Sequence, residues 1–189
     1  MRIVAGTLRG RPLITPTHGG LRPTTDRVRE AVFNILTHGI ENFALEGARV
    51  IDLFAGTGAL GLEALSRGAV FCLFVEDDTE ARAIIRRNIE TFGLTGQTRI
   101  FRRNATDLGQ AGARDVASLM FLDPPYGRGL ATLALASVIA GGWLSPGAVV
   151  VAEERVGEPI EPPAPLTVFD RRTYGDTQIA FLRNGPTPA

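Results

Sequence analysis

The chain has 189 residues, 44% of them hydrophobic, and a formal net charge of zero. That length fits one domain of ordinary size with a core large enough to need no staples, and a single cysteine, Cys72, excludes a disulfide within the chain. Zero net charge argues against a generally polycationic nucleic-acid binder. No apolar run approaches a bilayer span and the N-terminus lacks the apolar core of a signal peptide, so a cytoplasmic protein is expected.

The charge is unevenly spread. Residues 1–30 hold six arginines (Arg2, Arg9, Arg11, Arg22, Arg27, Arg29) against Asp26 and Glu30. All twenty basic residues of the chain are arginine, whose forked guanidinium suits phosphate. An ordinary solvated face is the competing reading of this basic start. Residues 2–15 contain two short β-like pieces around Leu8-Arg9-Gly10, which predicts a small basic hairpin. Thr24-Thr25-Asp26 then offers N-cap side chains, and Val28, Val32, Ile35 and Leu36 recur at helical spacing.

From residue 48 onward apolar runs alternate with helix-like segments. The pattern predicts strands at 49–54, 70–75, 98–102, 118–122 and 148–152, and helices at 59–67, 79–92 and 130–140, with a further short helical segment from Thr106. Strands buried on both faces read as continuous apolar runs, so this is a βα repeat with a parallel sheet. Cys72 falls in such a run, where a buried structural thiol is expected. After a proline-rich connector at 156–165, strand-like runs at 166–171 and 178–183, split by Tyr174-Gly175-Asp176, predict an antiparallel hairpin on the sheet edge. The tail, 185–189, is expected to be disordered.

Three constellations carry chemistry. Asp52-Leu53-Phe54-Ala55-Gly56-Thr57-Gly58-Ala59-Leu60-Gly61 contains G-x-G-x-x-G between a strand and a helix, where glycines admit a ligand close to the backbone and free N–H groups open the helix. Glu76, twenty residues after Gly56, could grip ribose hydroxyls, a spacing that suits a dinucleotide or any other adenosine ligand. Asp52 separates these options. A carboxylate four residues before the first glycine disfavours a pyrophosphate and suits a ligand carrying an ammonium and a sulfonium, which points to S-adenosylmethionine. A helix or loop cap is the alternative role for Asp52.

The second constellation is Arg103-Asn104-Ala105-Thr106-Asp107, where Asn104 is the candidate for the adenine edge and Asp107 reads as readily as a cap. The third is Phe121-Leu122-Asp123-Pro124-Pro125-Tyr126-Gly127. Two prolines stop the strand and stiffen the backbone between a carboxylate and a ring, an arrangement suited to a flat ligand. In an open α/β sheet Asp52, Glu76, Asn104 and Asp123 all project from the carboxyl ends of strands, where ligands bind.

With Asp123-Pro124-Pro125-Tyr126, the sequence resembles class I methyltransferases that modify exocyclic or amide nitrogens. Arg9-Gly10-Arg11, the run from Leu21-Arg22-Pro23-Thr24-Thr25-Asp26 to Arg27-Val28-Arg29-Glu30, and Asp52 to Arg67 make it similar to the bacterial 16S rRNA guanine-N2 methyltransferase D family, from Met1 to about Phe181.

The resemblance implies a Rossmann-like α/β fold with a mostly parallel seven-stranded sheet, a C-terminal antiparallel hairpin, and a basic N-terminal hairpin and helix. It implies an RNA-binding extension at 1–46 and a methyltransferase domain at 47–184. Asp52, Ala55, Gly56 and Gly58 would lie along the methionine part of S-adenosylmethionine, Glu76 on its ribose, and Asn104 and Ala105 near its adenine. Asp123, Pro124 and Tyr126 would hold the target guanine, with Asp123 also beside the cofactor. Arg9, Arg11, Arg22 and Arg27 would grip the RNA. S-adenosylhomocysteine would be the product and no metal is needed; His18, His38 and Cys72 show no ligand spacing. The implied partner is 16S rRNA in the small ribosomal subunit or an assembly intermediate, met by a monomer with no membrane association.

A DNA adenine-N6 methyltransferase shares Asp-Pro-Pro-Tyr but usually carries an added target-recognition domain. A protein-glutamine methyltransferase would more often have Asn at 123, and an NAD-linked oxidoreductase leaves Asp52 and the prolines without a role. A non-catalytic RNA-binding assembly factor is the alternative from another class.

Overall fold

A computed structural model describes residues 1–16, 26–125 and 129–185. Its elements, in chain order, are α1 (Asp26–His38), β1 (Arg49–Leu53), α2 (Ala59–Ser66), β2 (Phe71–Val75), α3 (Thr79–Phe92), β3 (Thr98–Phe101), β4 (Ala117–Leu122), α4 (Leu130–Ala140), β5 (Leu144–Arg155), β6 (Leu166–Tyr174) and β7 (Thr177–Asn184). One seven-stranded sheet has the order β3-β2-β1-β4-β5-β7-β6. β1 to β5 are parallel, and β7 runs antiparallel to both its neighbours. The Rossmann-like fold with its C-terminal hairpin is therefore present. The strand order reverses between β1 and β4, which opens a crevice at their carboxyl ends.

Two hydrophobic clusters sandwich the sheet. On one face Val50, Phe74, Phe121, Val151 and Phe181 pack with α1, α2 and α3; on the other Ile51, Val75, Leu122, Ala152 and Leu182 pack with α4. Strands buried on both sides explain the unbroken apolar runs. Cys72 is fully buried, as expected of a structural thiol. In α1 the buried positions are Arg29, Val32, Phe33 and Leu36, and Phe33 meets the Phe121 ring with centroids 5.5 Å apart.

The N-terminal hairpin is present and small: Arg2 bridges Pro12 antiparallel, Ile3 N–H donates to the Arg11 carbonyl at 3.0 Å, Gly10 N–H to the Ile3 carbonyl at 2.8 Å and Leu13 N–H to the Met1 carbonyl at 3.1 Å. The arm is also pinned to α2. Val4 and Ala5 donate backbone N–H to Glu63 at 2.8 and 3.0 Å, Leu8 donates to the Ser66 hydroxyl at 3.0 Å, and Ser66 donates to the Ala5 carbonyl at 2.6 Å. Glu63 is fully buried between Arg29 (Nε 3.6 Å) and Arg67 (Nε 2.7 Å).

The short helix expected from Thr106 does not form. Gly109 takes φ 69° there, and the segment's polar groups are engaged by the end of α4. Leu108 N–H donates to the Ser137 hydroxyl at 2.8 Å, Ala111 N–H to the Gly141 carbonyl at 2.9 Å, and Trp143 Nε1 to the Gly109 carbonyl at 2.9 Å. Tertiary partners thus replace an i→i+4 ladder. β5 also extends beyond its expected 148–152, running through Pro146 at its start with a register shift between Ala117 and Leu119 on β4.

α2 crosses β2 at close range because Gly61 has no side chain. A Cβ on Gly61 would lie 2.5 Å from Cys72 Sγ and 2.5 Å from Phe74 Cε1. Gly61→Ala is therefore expected to cost about 1–3 kcal/mol through overpacking, read as a lower midpoint in urea at an unchanged slope. An unshifted midpoint would show that the two elements separate freely.

Candidate functional site

The carboxyl ends of the parallel strands bring four polar side chains to one edge of the sheet. Asp52 lies in β1, Glu76 directly after β2, Asn104 beyond β3, and Asp123 directly after β4. Between Asp52 and α2 the chain makes a tight loop in which Phe54, Gly56 and Gly58 take φ of 56°, 55° and 77°. Glycine adopts that region without strain; Phe54 does not, so the loop is held by its surroundings.

Those surroundings are carboxylates. Glu76 accepts the Gly56 N–H at 2.8 Å and the Asp78 N–H at 3.0 Å, so it lies across the glycine loop. Each carboxylate oxygen keeps further acceptor capacity for a hydroxyl. Asp52 is buried and accepts the Gly61 N–H at 2.9 Å. The cap role is thus real for one of its oxygens. Asp78 caps α3 through the Ala81 N–H at 2.8 Å. On α3 the buried Asn88 joins the arm to this loop, exchanging hydrogen bonds with Ile14 at 2.8 and 3.1 Å and donating to the Thr57 carbonyl at 3.1 Å.

Ala55 is buried beneath the loop and Ala105 beneath the turn after β3. The Asn104 side-chain oxygen accepts from Thr106 N–H and its hydroxyl, both at 2.9 Å. Its amide N–H groups are the part of this side chain available to an adenine edge. Asp123 is half-buried and Pro124 buried at the end of β4, while Tyr126 lies outside the described residues.

The acids crowd one another. Burial pushes the Asp52 carboxyl up to about 8, with the Gly61 hydrogen bond opposing and the charge of Glu76 adding. Asp123 is pushed well above the carboxylate range by burial, then by the charges of Glu153 and Asp52. Such a cluster favours a cationic ligand, whose charge offsets the crowding. Among the described residues no group of three or more His, Cys, Asp or Glu is placed to hold a metal ion, and no helix is long and apolar enough to cross a membrane.

The Asp52 shift has a sign. A folded-state pKa raised above the unfolded 3.8 means the folded chain binds more protons between about 4 and 8, so stability falls as pH rises through that window. Asp52→Asn keeps an acceptor for Gly61 N–H and removes the titration. The variant is expected to gain thermal stability over the wild type at pH 8.5 and little at pH 4, measured by scanning calorimetry. Parallel pH dependence in the two proteins would assign the slope elsewhere.

The arm arginines separate. Arg9 and Arg27 line one surface cleft of about 340 Å³ with Arg2, Asp26 and Glu30. Arg11 is turned onto α3, donating to the Thr91 carbonyl at 2.7 Å with its guanidinium 4.8 Å above the Phe92 ring. Arg22 lies outside the described residues. Arg29, counted in the sequence as part of the basic face, is fully buried.

Sequence reasoning missed Glu63, Asn88 and Glu153. The spacing of Glu63 and Arg67 at i,i+4 was a usable signal for the first. Asn88, inside a regular helix, carried none.

The family described as conserved hypothetical protein 95 matches residues 1–183. The Escherichia coli (strain K12) ribosomal RNA small subunit methyltransferase D is 40% identical over 157 residues, 82% of this chain and 75% of that protein. The protein of the same name from Haemophilus influenzae is 33% identical over 186 residues, covering 97% and 94% of the two chains. The solved structure of the Escherichia coli protein yhhF superposes with a TM-score of 0.83 at 30% identity and 99% coverage of both chains.

Proposed function

The chain belongs to the conserved hypothetical protein 95 family, and on that premise we propose that it transfers a methyl group from S-adenosylmethionine to the exocyclic N2 of one guanine in 16S rRNA. The observation that carries this reading is the crowd of acids at the β1–β4 crevice, Asp52 and Asp123 above all, whose burial asks for a cation. The names of the relatives, ribosomal RNA small subunit methyltransferases, support the substrate class.

The residues fit S-adenosylmethionine by the chemistry of their donors and acceptors. Asp52, Ala55, Gly56 and Gly58 would hold its methionine part, Glu76 its ribose, and Asn104 and Ala105 its adenine. When bound it supplies an electrophilic methyl on a cationic sulfur, which leaves with the bonding pair as S-adenosylhomocysteine.

The chain's own task is to prepare the nitrogen. A guanine N2 lone pair is delocalised into the ring, so the amine is a poor nucleophile. The Asp123 carboxylate and the Pro124 carbonyl each accept one N2–H, which turns the lone pair out of conjugation. Pro124 and Pro125 keep both acceptors still. As N2 gains the methyl it releases a proton, and Asp123, made basic by burial and by its acidic neighbours, takes it up. Tyr126 stacks on the extruded base, a contact worth roughly 1–3 kcal/mol against an unstacking cost of a few kcal/mol. Residues 1–46 serve RNA binding and 47–184 catalysis. The substrate particle is the small subunit or an assembly intermediate, in the cytoplasm.

The test is transfer of labelled methyl to small subunits from cells lacking the gene, with mass-spectrometric mapping. A single N2-methylguanine in 16S rRNA is expected. Transfer only to DNA or protein would keep the cofactor and overturn the substrate.

A further inference from the structure

In the proposed reaction Glu153 touches no substrate atom and acts only through its charge on Asp123, and the sheet sets it beside that residue. The parallel register of β4 and β5 pairs Phe121 with Val151 and Leu122 with Ala152, so the next residues, Asp123 and Glu153, stand side by side. Side chains alternate along a strand. Phe121 and Val151 belong to the cluster packed with α1, α2 and α3, and Asp123 and Glu153, two positions on, leave their strands toward that same face. Proximity is also seen in the charge of Glu153, which acts on Asp123 after burial does.

Beside them opens a cleft of about 370 Å³ lined by Pro124, Pro125, Leu130, Glu153, Glu154 and Glu158. Two neighbouring carboxylates with stiff prolines beside them suit a flat heterocycle that presents N–H donors.

Among the RNA bases, only guanine has a ring N–H next to an exocyclic amine. Adenine and cytosine present a lone pair beside the amine, and uracil has the ring N–H without one. We propose that Glu153 selects the target base: its carboxylate accepts the guanine N1–H while Asp123 accepts N2–H. Two adjacent carboxylates thus match two adjacent donors, and the lone pair of adenine or cytosine would face an anion. This assignment rests on guanine being the methylated base. Glu153 here is a specificity residue, and Asp123 remains the group at the reacting nitrogen.

The experiment uses the full chain and small subunits reconstituted with 16S rRNA carrying either guanine or 2-aminopurine at the mapped nucleotide. 2-Aminopurine keeps the C2 amine and has a lone pair at N1. The wild type is expected to prefer guanine by about 10–100-fold in kcat/KM, the scale of one charge-assisted hydrogen bond. Glu153→Gln is expected to lose up to about 10-fold on guanine, because its amide oxygen still accepts N1–H without charge assistance, and to narrow or invert the ratio, because its amide N–H can donate to the N1 lone pair of 2-aminopurine. S-adenosylhomocysteine affinity and the thermal midpoint are expected to stay near wild type. Any contribution from O6, which 2-aminopurine also lacks, is common to both enzymes and cancels in the comparison of ratios. An unchanged ratio in Glu153→Gln, whatever its absolute rate, overturns the assignment, as does a wild type indifferent to the two bases. Absence of guanine methylation by the wild type would instead remove the proposed reaction and this inference with it.

Discussion

Replacing Asp123 with alanine is expected to lower methyl transfer by roughly 10²–10⁴-fold, the range for losing a positioned acid–base group. Two functions disappear together. One N2–H loses its acceptor, so the nitrogen is held by the Pro124 carbonyl alone, and the released proton loses a nearby base. Unfolding is a poor rival explanation. The Asp123 carboxyl is pushed up in the folded protein, by burial and then by Glu153 and Asp52, so its ionised form is a burden on the fold. Sign follows from linkage: the folded chain holds this proton to higher pH than the unfolded chain does, so stability is lost as pH rises above the ordinary carboxylate range. Removing the group is expected to spare or raise the thermal midpoint at pH 8. Asp123→Asn separates the two functions, since its amide oxygen still accepts N2–H and takes up no proton. Single-turnover rates on small subunits are expected in the order wild type, Asn, Ala. Near-normal transfer by the alanine variant would take Asp123 out of the mechanism.

The parallel core was legible because each buried strand is a short apolar run ended by a chemical signal. Asp52 precedes glycines, Glu76 precedes the Asp78 cap, and Asp123 precedes two prolines. These signals are local, and local chemistry is what a sequence displays. The buried charges were not legible for the opposite reason. Glu63 is satisfied by backbone N–H groups 58 and 59 residues away, and nothing around Leu62-Glu63-Ala64 announces them. Arg29 reads as one more cation of a basic arm until Glu63 is placed 3.6 Å from its Nε. Glu153 and Asp123 are neighbours only through the β4–β5 register. The segment from Thr106 erred in the other direction, since its helix-like pattern was overridden by Ser137, Gly141 and Trp143.

That sorting of buried from exposed arginines turns the basic arm into a sharper expectation. Arg29 is committed to Asp26 at 2.8 Å and to Glu63, and Arg11 to Thr91 and Phe92, so neither guanidinium is free to follow an RNA backbone without undoing a contact of the fold. Arg9 and Arg27 are exposed and share a cleft. The double substitution Arg9→Ala with Arg27→Ala is therefore expected to weaken binding to small subunits and to flatten the dependence of log affinity on log salt by roughly one to two, as two phosphate contacts are lost. S-adenosylhomocysteine affinity is expected to be unchanged, because the glycine loop is braced by Glu76, Asp52 and Asn88 rather than by these side chains. A fall in KM-limited turnover with kcat retained follows, since phosphate contacts position the substrate and leave the chemistry at Asp123 untouched. An unaltered salt slope in the double variant would mean that the arm binds no phosphate through this cleft, and the positive charge of residues 1–30 would then be an ordinary solvated face.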